Sequence, residues 1–131
     1  MSSYDDYLKS YKIFEEQTKK KIQKNQALES LQVTQQFKQN EWEKEEMERR
    51  LKELQEIKSM KSQANFLDKE SERMRFSQSG FPRELENQAY NLRKKAEELQ
   101  DYNNQQADIR KKSFLDKQRE ELDKVLKQYE D

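Results

Sequence analysis

Gly80 and Pro82 are the only glycine and the only proline in 131 residues. A chain with so little punctuation can make very few turns, so the main break must fall in Ser77-Gln78-Ser79-Gly80-Phe81-Pro82. Gly80 suits the C′ position of a helix, where φ is positive and a side chain would cost energy. With Gly80 at C′, Phe81 would be C″ and Phe76 would be C3, the pair expected to touch in a Schellman cap. Pro82 can open the next helix, because its missing N–H is not needed in the first turn. Strands have almost no support, since Val, Ile and Thr together number eight. Glu, Lys, Gln, Arg and Leu dominate, all good helix formers. Acid-before-base pairs at i,i+4 recur, among them Glu15–Lys19, Glu46–Arg50, Glu48–Lys52 and Glu120–Lys124, each adding about 0.2–0.5 kcal/mol to an isolated helix.

These features predict an all-α, extended protein of long helices with a single Gly-Phe-Pro break, not a compact globule. The expected organisation is a helical segment over 1–79, a break at 80–82 and a second long helix over 83–131. Amide clusters at Lys24-Asn25-Gln26, Gln39-Asn40 and Asn103-Asn104-Gln105-Gln106 are expected to kink or fray them, because Asn competes for its own backbone. Composition points the same way. Charged residues make up 41% of the chain and hydrophobic ones 31%, too little apolar surface for one closed core. Basic and acidic residues balance at 27 each, so a simple polyelectrolyte is not implied.

The same inventory limits chemistry. Without Cys there is no disulfide, thiolate nucleophile or cysteine-bound zinc. Without His the commonest general acid/base and metal ligand is missing. Neighbouring carboxylates such as Glu45/Glu46 diverge by about 100° on a helix and cannot converge on one substrate. One glycine cannot build a phosphate-binding loop, a dinucleotide fingerprint or a calcium-binding EF-hand loop. No catalytic, metal or cofactor residue is therefore assigned, and no cofactor or small-molecule substrate is expected. No apolar run is long enough to span a membrane, and the start carries neither a signal peptide nor a transit peptide. A reducing compartment continuous with the cytoplasm is expected.

Four apolar seams can be read. Tyr4, Tyr7, Tyr11 and Phe14 form an aromatic stripe. Ile57, Met60, Ala64, Leu67 and Met74 form a second, with Ser71 in the missing step. Leu85, Ala89, Leu92, Ala96 and Leu99 form a third at 4-3-4-3 spacing, and Leu115, Leu122, Leu126 and Tyr129 a fourth. The step from Leu99 to Leu115 is 16 residues and breaks any sevenfold register. Changing phase favours short docking patches for different neighbours over one sustained coiled coil. Leu85, Leu92 and Leu99 remain a candidate self-pairing seam, which would make the chain a cytoplasmic coiled-coil adaptor.

Aromatic residues are the natural anchors for a partner, since each buries much area at modest entropic cost. The candidate docking residues are Tyr4, Tyr7, Tyr11, Phe14, Trp42, Phe66, Phe76, Phe81, Tyr90, Phe114 and Tyr129. Basic clusters at Lys19-Lys20-Lys21, Arg93-Lys94-Lys95 and Arg110-Lys111-Lys112 could meet phosphates, giving a nucleic-acid-associated helix as a third reading. Acidic residues flank each cluster, so ion pairs with an acidic protein surface fit better.

Trp42-Glu43-Lys44-Glu45-Glu46 through Arg49-Arg50-Leu51, and the run Arg110-Lys111-Lys112-Ser113-Phe114-Leu115-Asp116-Lys117-Gln118-Arg119-Glu120-Glu121-Leu122, resemble segments of the microtubule inner proteins of ciliary axonemes. The Gly-Phe-Pro break between polar helices is similar to theirs as well. This resemblance implies helices laid along the lumenal wall of the doublet microtubule, a cytoskeletal location in the cilium, and tubulin with neighbouring helical axonemal proteins as partners.

Overall fold

The computed structural model describes residues 3–130. Two α-helices account for nearly all of them: α1 is Ser3–Ser77 and α2 is Pro82–Gln128. The protein is all-α, with no strand among the described residues. Helix continues through the amide clusters at residues 24–26, 39–40 and 103–106, so none of them interrupts the backbone. Residues 1, 2 and 131 of the expected helical segments lie outside the described residues.

The break is where the sequence puts it, but the cap is built two residues earlier than expected. The Ser79 N–H donates to the Met74 carbonyl at 3.0 Å and the Gln78 N–H to the Arg75 carbonyl at 3.3 Å. These are the two bonds of a Schellman motif, which makes Gln78 the C′ residue, with φ +53°, and Met74 the C3 residue. Phe76 and Phe81, 94% and 79% exposed, do not form the expected hydrophobic cap contact. Gly80 serves a second reversal, with φ +75°. A Cβ there would lie 2.8 Å from Met74 Sδ, so the absent side chain lets the bend close over Met74. Pro82 opens α2 as expected, and the Phe81 carbonyl accepts from the Glu84 N–H at 3.2 Å. Gly80→Ala is expected to lower stability by about 1–2 kcal/mol, and Gln78→Gly to raise it by up to about 1 kcal/mol, measured by thermal circular dichroism.

The chain divides into two units. The first runs from Trp42 to Lys111 and contains the bend; in it the two helices lie antiparallel. Their contact is the second seam packed on the third. Ala64, Ala89 and Ala96 are fully buried, and Ile57 and Ser71 nearly so. Buried or half-buried positions recur on α1 at 53, 57, 60, 64, 67, 71 and 74, and on α2 at 85, 89, 92, 96, 99 and 103. These are the alternating three- and four-residue steps of a sevenfold repeat, the spacing of left-handed antiparallel pairs. Ala64 with Ser71, and Ala89 with Ala96, place a small residue every seventh position, which lets the two backbones approach closely.

The second unit joins the start of α1, up to Glu41, with the end of α2, from Lys112. Here half-buried positions recur at 20, 24, 28, 31, 35 and 39 on α1, and at 114, 118, 121 and 125 on α2 with 129 just past its end; Ala27 and Leu126 lie beside these rows. The steps are now four, four and three, an 11-residue repeat at about 3.67 residues per turn. This contact is thinner and largely polar. The Gln35 side-chain amide donates to the Gln118 carbonyl at 2.8 Å, and the Gln118 amide returns a bond to the Gln35 carbonyl at 3.4 Å. Lys38 pairs with Glu121 at 3.4 Å, and Lys20 Nζ reaches the Glu130 carbonyl at 3.5 Å.

Candidate docking surfaces

Because α1 and α2 use one side of each helix for one another, the remaining sides decide what else can bind. The third seam is turned to α1: Leu92 lines one open groove with Ser59, Ser62, Gln63, Phe66 and Leu67, and its neighbours Ala89 and Ala96 are sealed. Leu85, Leu92 and Leu99 are thus half-buried within the chain, against α1. The fourth seam is also re-aimed. Leu115 and Leu122 are exposed, and the residues turned to α1 are Phe114, Gln118, Glu121, Val125 and Tyr129, with Leu126 half-buried beside them. An 11-residue repeat explains the difference, since it selects positions that sevenfold counting skips.

Several anchors are consumed in the same way. Trp42 is half-buried at a seam position of α1, four residues before Glu46; Phe114 on α2 and Tyr129 just past its end are half-buried too. Phe66, Phe76, Phe81 and Tyr90 remain exposed, as do Tyr4, Tyr7, Tyr11 and Phe14. Sequence reasoning missed a further outward set on α1: Val33, Phe37, Met47, Leu51 and Leu54. Their signal was present as the 33/37 and 47/51/54 spacings, but each is shorter than the seams and lies between charged residues. In α1 apolar residues therefore occupy two sides of one helix, one turned to α2 and one to solvent.

The charges that border the contact are fixed by geometry. Arg110 grips Glu46 with two bonds, Nε to Oε1 at 2.5 Å and Nη2 to Oε2 at 3.0 Å, and lies 3.8 Å from Glu53. The Glu46 side chain is only 13% exposed. The hydrogen bond from Arg110 holds its carboxyl below the usual range, helped by the charges of Arg110, Arg49 and Arg50 and opposed by burial. The Arg110 guanidinium is pushed up chiefly by the same hydrogen bond. Arg93 pairs with Asp68 at 2.5 Å and donates to Asn65, and Arg75 pairs with Glu86 at 2.7 Å. Two of the three basic clusters therefore spend their arginine inside the chain. Arg50 donates to Glu53 at 2.8 Å and to Asn104. Beside them the Asn103 side-chain nitrogen is buried without a hydrogen-bond partner. Asn103 ends the sevenfold stretch of α2, where a polar seam residue fixes register at a cost in stability.

Residues 3–19 of α1 are all exposed, because α2 reaches back only to the Lys20 turn. This stretch is a helical overhang. Tyr7 and Tyr11 stack along it with ring centroids 6.5 Å apart. Carrying the seam of this unit backwards in its own steps reaches 17, 13, 9 and 6. Tyr11 falls two residues from both 9 and 13, roughly 200° round the helix from the seam. The tyrosines thus face away from the side that α1 gives to α2.

Among the described residues no cluster of acidic side chains could hold a metal ion, and no helix is long and apolar enough to cross a membrane. Comparison with known protein families, with characterised proteins and with solved structures finds no match.

Proposed function

We propose that the protein is a non-catalytic structural component that lies along and stabilises a filamentous protein assembly, and that this assembly is the ciliary doublet microtubule. The observation that supports the reading is the second apolar side of α1. Val33, Phe37, Met47, Leu51 and Leu54 stay exposed although the α1–α2 contact has already taken the better-spaced seam. Exposed large apolar residues in a run of this length mark an interaction surface. They are interleaved with charges of both signs, which suits a partner met by many modest contacts with electrostatic registration. The resemblance to microtubule inner proteins names the partners: tubulin and neighbouring helical axonemal proteins, at the axoneme.

Fractionation of cilia tests this, following the protein by mass spectrometry through detergent, then high salt, then extraction that depolymerises tubulin. Retention through salt, with release only as the doublets dissolve, is expected. Release by detergent or salt, or absence from cilia, would overturn it in favour of a soluble coiled-coil adaptor.

A further inference from the structure

The overhang of α1 carries two patterns that share one centre. Along the side turned away from α2 run Tyr4, Tyr7, Tyr11, Phe14, Thr18 and Ile22, whose midpoint is residue 13. Five of these are large apolar residues at least half exposed, and the Thr18 hydroxyl is already satisfied, donating to the Phe14 carbonyl at 2.9 Å. The stripe therefore presents no unmet polar proton from that hydroxyl.

The charges alternate in blocks along the same stretch. Asp5 and Asp6 are followed by Lys9 and Lys12, these by Glu15 and Glu16, and these by Lys19-Lys20-Lys21. The order is negative, positive, negative, positive, and it too is centred near residue 13. Such a series is antisymmetric: read backwards, every block meets the opposite sign. A parallel partner with the same sequence would set like charges against like.

We propose that the overhang binds the overhang of a second copy of this chain, antiparallel, about a two-fold axis near residue 13. Tyr4 of one copy then lies against Ile22 of the other, Tyr11 lies beside Phe14, and Asp5 and Asp6 meet Lys19 and Lys21, which flank the stripe, while Lys20 stays on the side turned to α2. The contact is isologous and closes on itself, so it yields a dimer rather than a polymer. Burying these side chains on both copies removes roughly 1,000 Å² from water, the lower end for a specific interface, so the dimer is weak and salt-sensitive. The pairing uses the overhang and the exposed side of the turn that follows it, and holds whichever assembly the rest of the chain contacts.

Sedimentation velocity of the full chain at low and high salt tests the dimer, against the double variant Tyr7→Glu/Tyr11→Glu. A dimer whose dissociation constant rises at least about tenfold in the variant is expected. The far-ultraviolet dichroism and melting of the variant should be unchanged, because the overhang supports nothing in the α1–α2 contact. Orientation is read from spin labels placed on Ser10→Cys or Asn25→Cys. Antiparallel pairing about residue 13 separates the second pair along the axis by roughly 36 Å and the first by only about 9 Å. A chain that stays monomeric at every concentration overturns the proposal. So does a dimer that survives the double substitution, or one with equal distances at the two label sites.

Discussion

Ala96→Leu is expected to destabilise the unit that contains the bend by about 3 kcal/mol, a large share of the stability of a small domain. Ala96 is fully buried, and so are Ala64 and Ala89. With Ser71, these small residues line a contact that is already sealed, so the extra atoms of a leucine must push the helices apart. Few other groups could compensate, since Ile57 is the one large apolar side chain that is buried among the described residues. Urea titration followed by circular dichroism would show the midpoint falling sharply. The same exchange at Ala107, which is only half-buried, should change it little. Equal effects at the two sites would mean that the helices are not in close contact at Ala96.

Arg110→Ala comes next, at about 2–3 kcal/mol near neutral pH. The loss comes less from the attraction given up than from the carboxylate left behind: Glu46 would keep only Arg49 at 3.4 Å and the charge of Arg50 to answer it. The pH dependence has a definite sign. Glu46 has its pKa lowered in the folded chain, mainly by the Arg110 hydrogen bond. Its contribution is therefore present in full above the ordinary carboxylate value and is lost as the pH falls through the lowered one. Wild type and variant should accordingly converge in acid and differ most at neutral pH. Glu46→Gln in the Arg110→Ala background should recover part of the loss, because the stranded charge is removed. A deficit for Arg110→Ala that is the same at all pH values would show that the pair is not what is being lost.

Helix content and the place of the break were legible because they depend on local chemistry: helix formers throughout, with a glycine and a proline two residues apart. The second and third seams were legible as stripes for the same reason. That they satisfy each other was not, since one periodic row reads alike whether its partner is another chain or the same one. Only the bend decides it, by bringing residues 53–74 back onto 85–103. Trp42 shows a different limit. It stands alone among charges in the sequence, yet it is half-buried in a row with Glu46, Arg50 and Glu53, at steps of four, four and three. Sevenfold counting cannot see that spacing, and it also set Leu115 and Leu122 where the structure has Phe114 and Glu121. The cap shows a third limit: Gln78 takes the left-handed position although Gly80 is two residues away, because Gly80 is needed where the chain passes over Met74.

The 11-residue spacing also acts on the far side of α1. A helix that repeats its inner contacts every eleven residues repeats its outer positions on the same count, so Tyr11, Ile22 and Val33 fall on one line nearly parallel to the axis. At 1.5 Å per residue they stand roughly 16–17 Å apart. All three are exposed. A sevenfold helix would carry such a row around itself and turn each successive contact to a new direction. Here the row stays on one side like teeth on a straight rack, a form that can engage a flat wall of regularly placed subunits without either surface bending to meet the other.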